Sequence, residues 1–304
     1  MSLVIFGYGY TAKAFVRHVR RRFDHVVATA RSPEKVARIA SAGLTGRLFP
    51  DEGDGHALEA DIADAEAMLV SVPPGPAGDP VLARFADAIA GAPRLTWIGY
   101  LSTVGVYGDH GGGWVDESTP PRPVSGRSRE RLGAEEAWLD LGWRSGRPVH
   151  IFRLAGIYGP GRSPLQKVLD GTAARIVKPG QVFNRIHVED IAAVLAASLD
   201  SPRAGAVYNV ADEEPAPPQD VVSHAAELVG VPPPPETAFA DADMTPMAKS
   251  FYGENKRVAS RLLRHELGVS LRYPTYREGL AALAEDLTPR SGSRSGRNSS
   301  GSVG

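Results

Sequence analysis

The chain has 304 residues, of which 42% are hydrophobic and 23% are charged, and its formal net charge at pH 7 is −1. This composition is typical of a globular protein and excludes collagen-like and wholly disordered chains. The absence of cysteine excludes disulfides and thiolate metal ligands. Residues 289–304 carry three arginines and no acid, so the remaining chain is acidic, which argues against a nucleic-acid partner.

The N-terminus enters a short apolar run without a basic leader. No stretch approaches the roughly 18 to 20 apolar residues that a membrane span needs. We therefore expect no membrane partner and a cytoplasmic location. The Ser-, Gly- and Arg-rich residues 289–304 are predicted to be a disordered tail.

Strand-like and helix-like segments alternate along most of the chain. The apolar runs predict strands at 2–6, 25–30, 44–49, 67–72, 95–101, 148–153 and 206–211. Amphipathic stretches predict helices at 11–22, 32–43, 80–91, 128–142 and 189–200. Apolar strands that alternate with helices indicate a parallel sheet covered on both faces.

The predicted fold class is α/β, a Rossmann-type doubly wound parallel sheet with a smaller, partly interleaved C-terminal substrate lobe. The dinucleotide-binding domain is predicted to span 1–153, with 188–211 returning to it. The substrate lobe is predicted to take 154–187 and 212–288.

The segment FGYGYTA joins the first predicted strand to the first predicted helix. Gly7 and Gly9 allow a tight turn whose backbone can approach a pyrophosphate at the helix N-terminus, and Ala12 allows the helix to pack closely on the strand. A turn without a ligand is the alternative, but its position after the first strand favours a dinucleotide. The residues predicted to bind it are Gly7, Tyr8, Gly9, Tyr10, Thr11 and Ala12.

The end of the second predicted strand distinguishes two cofactors. An NAD site places Asp or Glu there to hold the ribose 2′-hydroxyl. Here the strand ends with Arg31 and Ser32 and no acid. A guanidinium suits a 2′-phosphate through charge-assisted hydrogen bonds. NADP(H) is therefore favoured, with NAD(H) as the alternative, unless Arg31 is only a solvated surface residue.

Five segments in the same order resemble those of extended short-chain dehydrogenases/reductases, which include NAD(P)-dependent epimerases and dehydratases. They are the glycine turn, GYLSTVGVYG, FRLAGIYGPGRS, RIHVEDIAAVL and VYNVADEEP. The resemblance covers nearly all of 1–288 and looks closest to an atypical subgroup. It implies that Thr103, with Ser102 beside it, hydrogen-bonds the reacting oxygen. It also implies that Gly156, Ile157, Ser71, Val72 and Pro73 lie along the nicotinamide.

The family's Tyr-x-x-x-Lys pair, which handles the proton, is absent from the stretch where it is expected. Alignment on AEEAW puts Arg127 and Arg131 at the two positions, whereas alignment on GRS puts Ser125 and Arg129 there. Arginine stays protonated, so it cannot exchange that proton. Arg127 and Arg131 are instead predicted to hold cofactor hydroxyls or a developing oxyanion.

A replacement proton donor must come from elsewhere. Tyr107, Asp109, His110 and Tyr158 are the candidates near the predicted site. The chain has one literal Tyr-x-x-x-Lys, from Tyr252 to Lys256, in the C-terminal lobe. We interpret Tyr252 as structural and Lys256 as a residue that can contact an anionic substrate. His187 and Asp190 are interpreted as a helix start, and no metal site is predicted.

The segment from 160 to 187 is short for a nucleotide-sugar site, and it is basic. Its cationic residues are Arg162, Lys167, Arg175, Lys178 and Arg185. We predict an NAD(P)-dependent oxidoreductase or epimerase that acts on a small, anionic carbonyl or hydroxyl compound. The alternative is a non-catalytic NADP(H)-binding redox sensor or regulatory protein.

The resemblance also implies a homodimer. Its interface would use the helices near 80–91 and 128–142. Trp138, Leu139 and Leu141 are predicted to supply the apolar face, although packing inside one subunit would use them equally well.

Overall fold

The computed structural model describes residues 1–50 and 55–287, so the predicted tail at 289–304 lies outside the described residues. Seven parallel strands form the main sheet: β1 (Ser2–Phe6), β2 (His25–Ala30), β3 (Thr45–Leu48), β4 (Ala67–Val70), β5 (Trp97–Thr103), β7 (Val149–Leu154) and β11 (Ala206–Val210). Their order across the sheet is β3-β2-β1-β4-β5-β7-β11. The predicted α/β fold is confirmed. In the described chain no helix has the length and apolar character that a bilayer crossing requires.

Both faces of the sheet are buried because successive strand residues point to opposite sides. In β1, Leu3 and Ile5 belong to one apolar core, and Val4 and Phe6 belong to the other. The first core is covered by α1 (Tyr10–Val19), α2 (Pro33–Ser41) and α7 (Val188–Asp200). The second is covered by α3 (His56–Ala63), α4 (Pro80–Gly91) and α5 (Gly126–Ser145). The continuous apolar runs of the sequence follow from this double coverage.

Helices α2 and α4 each begin with a polar N-cap residue that is followed by proline. Asp79 caps α4 by accepting hydrogen bonds from the backbone N–H groups of Val81 and Leu82 at 2.9 and 3.1 Å. Ser32 caps α2 in the same way, with Lys35 N at 3.4 Å. Proline suits the first turn because its fixed φ is helical and its missing N–H has no partner there. These local signals explain why both helices begin where the sequence predicts.

The C-terminal lobe has its own core, in which α6 (Pro164–Leu169), α8 (Pro218–Leu228) and α11 (Tyr276–Leu287) pack together. Short parallel pairs complete it: β8 (Gly156–Tyr158) with β10 (Arg185–His187), and β9 (Arg175–Val177) with β12 (Glu236–Ala238). A third pair joins β6 (Trp114–Val115), in the loop after β5, to β13 (Arg257–Val258). The short helices α9 (Pro246–Phe251) and α10 (Arg261–His265) flank β13.

Trp138, Leu139 and Leu141 take the second of the two roles predicted for them, packing inside one subunit. Trp138 is fully buried, with its ring 5.9 Å from that of Tyr100, and Leu141 is 4% exposed. Both belong to the core beneath α4 and α5, and Leu139 packs against that core. The side chains chosen for an interface therefore face the sheet of their own subunit, as an amphipathic helix requires.

His150, on β7, is an imidazole enclosed by the sheet and its neighbours. It is 0% exposed, and its Nε2 accepts a hydrogen bond from Arg203 N at 2.8 Å. Burial lowers the pKa of His150 to about 4. The unfolded chain has a histidine pKa of about 6.5, so between these values it binds a proton that the folded protein does not bind.

We expect this histidine to destabilise the fold as the pH falls from about 6.5 to about 4, by about 1.4 kcal/mol per pH unit. Urea unfolding of the wild type and of His150→Gln at pH 7, 6 and 5 measures the effect. The difference in unfolding free energy between the two proteins should shrink towards low pH. A constant difference would contradict the assignment of a neutral buried ring.

Candidate functional site

A cleft of about 1080 Å³ lies between the carboxyl end of the sheet and the C-terminal lobe. Ligands of open parallel sheets bind at this end because the loops that follow the strands meet there. Side chains from β5, α5, β8, α6, β10 and the segment around α9 line it. Of the predicted site residues, the cleft brings together Ser102, Thr103, Arg127, Arg131, Gly156 and Ile157.

The glycine turn between β1 and α1 has the shape that a dinucleotide phosphate needs. Gly7 has a φ of +92°, and a Cβ added there would lie 3.2 Å from the backbone N of Val72. A Cβ at Gly9 would meet nothing within 4 Å, so the outer side of the turn is open. Gly9 begins α1 without a side-chain cap. The first N–H groups of the helix can therefore bind a phosphate, and the residues present fit a dinucleotide.

Neighbouring strands hold this turn in place. Gly7 N donates to Thr29 Oγ1 at 2.9 Å, and Tyr8 N donates to Thr29 O at 3.0 Å. Thr11 and Ala12 are buried under the turn, while the Tyr10 hydroxyl donates to Pro160 O at 3.0 Å. Ser71 and Val72 lie beside Gly7, and Pro73 follows them at the surface.

Arg31 is exposed at the end of β2. The ion pairs of the described residues do not include it. The next residue, Ser32, is occupied as the cap of α2. Among the described residues no ion pair engages the guanidinium of Arg31, which follows the second strand, where Rossmann-type folds read the ribose 2′-substituent.

The two hydroxyl side chains at the end of β5 have different surroundings. Ser102 is 6% exposed and donates to the carboxylate of Glu135 in the interior. Thr103 is half-buried, and its Oγ1 accepts a hydrogen bond from Gly105 N at 3.1 Å. The hydroxyl proton of Thr103 remains available to a partner in the cleft, whereas that of Ser102 is already engaged.

Glu135 belongs to a buried polar network that joins three strands to α5. Its carboxylate pairs with Arg153 at 2.8 Å, and the two side chains are 2% and 7% exposed. Arg153 also donates to the Tyr107 hydroxyl at 3.0 Å, which donates to Asn209 Oδ1 at 2.8 Å. Burial raises the pKa of Tyr107. Tyr107 is therefore committed to this network and does not line the cleft.

The other predicted proton donors are also engaged elsewhere. Asp109 accepts a hydrogen bond from Asn255 N at 2.8 Å, and a ring nitrogen of His110 lies 3.1 Å from Tyr107 O. Tyr158 lines the cleft, but its hydroxyl donates to Thr275 O at 3.4 Å, and burial strongly raises its pKa. These three residues, predicted as candidates from their distance along the chain, do not present a usable proton to the cleft.

His187 and Asp190 form a helix start, as the sequence suggested. His187 caps α7 by accepting a hydrogen bond from Glu189 N at 3.2 Å. The Asp190 carboxylate accepts hydrogen bonds from the backbone N–H groups of Arg272 and Tyr273 at 2.7 and 3.1 Å. Asp190 thus anchors the segment that leads to α11.

The two arginines at the start of α5 point in different directions. Arg131 donates to the Tyr100 hydroxyl at 3.0 Å and to Leu101 O at 2.9 Å, which holds it against β5. Arg127 is exposed, and its Nη2 lies 3.3 Å from Ser250 Oγ of the C-terminal lobe. Arg131 therefore lies at the base of the cleft and Arg127 at its mouth.

Tyr252 lines the cleft, and it is only 7% exposed, which is consistent with our structural interpretation of it. Its ring packs edge-on against Phe183 at 5.1 Å, and its backbone oxygen accepts from Lys178 Nζ. Within the described chain its hydroxyl has no hydrogen-bond partner. Burial raises the pKa of Tyr252, and the nearby Arg185 guanidinium partly offsets this rise. The sequence signal for this residue was the literal Tyr-x-x-x-Lys spacing.

Positive charge dominates the lining of the cleft. Among the described residues its cations are Arg127, Arg131, Arg162, Lys167, Arg185 and Lys256, and its one carboxylate is that of Glu254. In the described part of the chain, only Lys256 among these cations pairs with a carboxylate, that of Glu254 at 2.7 Å. Because the whole chain is nearly neutral, this is a local excess, and it favours an anionic ligand.

The chain is similar to proteins of one family along most of its length. The sequence profile of the NAD dependent epimerase/dehydratase family matches residues 86–211. Protein YeeZ of Escherichia coli (strain K12) is 30% identical over 286 residues, which cover 90% of this chain and 96% of YeeZ. A 3-diazoavenalumate denitrifying reductase of Streptomyces sp is 25% identical over 246 residues, which cover 75% of this chain and 69% of the reductase.

A solved structure shares the whole architecture. A conserved protein of unknown function from Silicibacter pomeroyi DSS is 50% identical, with a TM-score of 0.84. The similarity covers 94% of this chain and 99% of that protein. The main sheet and the C-terminal lobe thus have counterparts in that structure.

Proposed function

Since the chain belongs to the NAD dependent epimerase/dehydratase family, we propose that it is an NADP(H)-favouring oxidoreductase or epimerase that acts on a small anionic carbonyl or hydroxyl compound. The observation that carries this proposal is the cleft, where Thr103 lies among six cations and one carboxylate. NAD(H) is the alternative cofactor.

Residues of the glycine turn and its neighbours would hold the dinucleotide. The N–H groups at the start of α1, after Gly9, would bind the pyrophosphate, and Arg31 would bind a 2′-phosphate. Gly156 and Ile157, which line the cleft, would lie against the nicotinamide. When bound, the dinucleotide supplies or accepts a hydride at the substrate carbon.

The chain's own residues handle the oxygen of the substrate. Thr103 donates a hydrogen bond to that oxygen, and Arg131 fixes the loop at the end of β5 through Leu101 O. We infer that Tyr252 supplies the proton in the direction of reduction, because the residue lines the cleft and its hydroxyl has no hydrogen-bond partner among the described residues. Arg185 is positioned to stabilise the phenolate that remains.

The charges of the cleft support the choice of substrate. Arginine and lysine side chains without carboxylate partners attract a carboxylate or phosphate and raise its local concentration. One relative is named as a reductase, which supports a reduction among the reactions that the family contains. The arginines at the two positions of the absent Tyr-x-x-x-Lys pair, Arg127 and Arg131, support the alternative of a non-catalytic NADP(H)-binding protein.

Titration of the purified protein with NADPH and NADH, followed by nucleotide fluorescence, tests the cofactor assignment. We expect NADPH to bind more tightly than NADH. Arg31→Ala should weaken NADPH binding by about 10- to 100-fold, as expected for the loss of hydrogen bonds between charged groups, and leave NADH unchanged.

Arg38→Ala is the matched control, because Arg38 is an exposed arginine of α2 that pairs with Glu34. It removes the same charge near the site and should bind both nucleotides as the wild type does. A preference for NADH would overturn the role of Arg31. Failure to bind either nucleotide would overturn the proposed function.

A further inference from the structure

One rim of the cleft is a thinly packed segment around α9. Met244, Ala248, Ser250, Phe251 and Tyr252 of this segment line the cleft. None of the α9 residues is buried, and the Phe251 side chain is 59% exposed. Segments with few buried apolar contacts open at low cost in free energy. This rim, residues 244–252, is therefore held mainly by what it contacts across the cleft, apart from Tyr252 at its end, whose ring packs against Phe183 and Phe239.

That contact is made by Arg127 at the first turn of α5. Its Nη2 lies 3.3 Å from Ser250 Oγ, and its guanidinium lies 5.8 Å from the centre of the Phe251 ring. Both partners are neutral. The Ser250 hydroxyl already donates to Met247 O at 2.7 Å, so its bond with Arg127 does not complete an unsatisfied group. The contact of Arg127 with Ser250 and Phe251, which joins α5 to the rim, is therefore weak.

We propose that Arg127 recognises the anionic group of the substrate at the mouth of the cleft, and that this recognition releases the rim at 244–252. A carboxylate or phosphate accepts two parallel N–H bonds from a guanidinium, which is stronger than a bond to a neutral hydroxyl or an exposed cation–π contact. When an oxyanion binds Arg127, the contacts of Arg127 with Ser250 and Phe251 are therefore broken. The inference rests on the proposed function, since it concerns the substrate of the same cleft.

Arg127 is freer to bind an anion than two other cations of the cleft, Arg131 and Lys256. Arg131 is bound to Leu101 O and Tyr100, and Lys256 is paired with Glu254. Arg127 is exposed and has no carboxylate partner in the part of the chain that the structure describes.

Limited digestion with trypsin measures the state of the rim without a known substrate. Lys249 is an exposed residue of α9, and cleavage after it is identified from the masses of the fragments. The probes are sodium benzoate and sodium phosphate, each compared with sodium chloride at equal ionic strength. We expect at least one oxyanion to speed this cleavage several-fold in the wild type. The more effective probe distinguishes a carboxylate from a phosphate.

Variants at position 127 decide whether this arginine is responsible. Arg127→Ala should be cleaved rapidly without any probe and should not respond to one, whereas Arg127→Lys should respond weakly because it lacks the planar fork. Arg129→Ala is the control, since Arg129 is exposed on the same turn but donates to Val124 O. It should behave as the wild type does.

The inference is overturned if Arg127→Ala is cleaved as slowly as the wild type, or if neither oxyanion exceeds chloride. A wild type that binds NADPH yet shows no oxyanion effect overturns this inference alone. A wild type that binds no nucleotide overturns the proposed function, whatever the rim does.

Discussion

Glu135→Gln should lower the free energy of unfolding by about 3 to 5 kcal/mol, because it leaves the Arg153 guanidinium buried without a counter-charge. The two side chains are 2% and 7% exposed, so water cannot take the place of the lost carboxylate charge. Urea unfolding at pH 7, followed by circular dichroism, gives the value. The loss should fall on the whole protein, since the network ties α5 to β5 and β7.

Asp140→Asn is the control on the same helix. Asp140 pairs with Arg144 at 2.7 Å, but both side chains are largely exposed. Removing such a pair costs about 1 kcal/mol or less. Combining Glu135→Gln with Arg153→Met should restore part of the lost stability, because no unpaired charge then remains buried. Equal losses for Glu135→Gln and Asp140→Asn would contradict this account.

Tyr252→Phe should reduce kcat by about 10²- to 10⁴-fold, the usual contribution of a positioned general acid. The ring and its packing on Phe183 are kept, so binding of NADPH should not change. Initial rates of NADPH oxidation, with the reducible anion that a substrate screen identifies, provide the measurement. Nucleotide fluorescence on the same samples shows whether the fold and the cofactor site survive.

Tyr276→Phe is the matched control for this experiment. Tyr276 also lines the cleft, but its ring belongs to the core of the C-terminal lobe. We expect it to retain most of the wild-type kcat. If Tyr276→Phe loses more activity than Tyr252→Phe, the proton donor has been assigned to the wrong tyrosine.

The main sheet was predictable because its elements carry local signals. The strand at 25–30 and the helix at 80–91 have the predicted bounds, since an apolar run defines the first and the Asp79–Pro80 cap defines the start of the second. The two-residue pair of β6 and β13 was missed. A strand of two residues has no period to detect, and its partner lies more than 140 positions away along the chain.

The site divides in the same way. The glycine turn and Thr103 were predictable because each is read from a few consecutive residues. The difference between Ser102 and Thr103 depends on which side of β5 each faces, and this is decided by the packing of Glu135. Tyr252 reaches the cleft only because the lobe folds back over α5. The position of Tyr252 at the cleft therefore depends on tertiary contacts, which cannot be predicted from the spacing of residues in the sequence.

The hydrogen bonds between the end of β11 and the two residues that follow β13 have a consequence for the order in which the protein is made. Asn209 Nδ2 donates to Ala259 O, and Ala211 N donates to Ser260 Oγ. The edge strand β11 therefore lacks these hydrogen-bond partners until about fifty further residues have been synthesised. The main sheet thus cannot reach its final form before the C-terminal lobe has been made. A gene cut after residue 211 should give a protein that needs its missing half supplied as a second polypeptide.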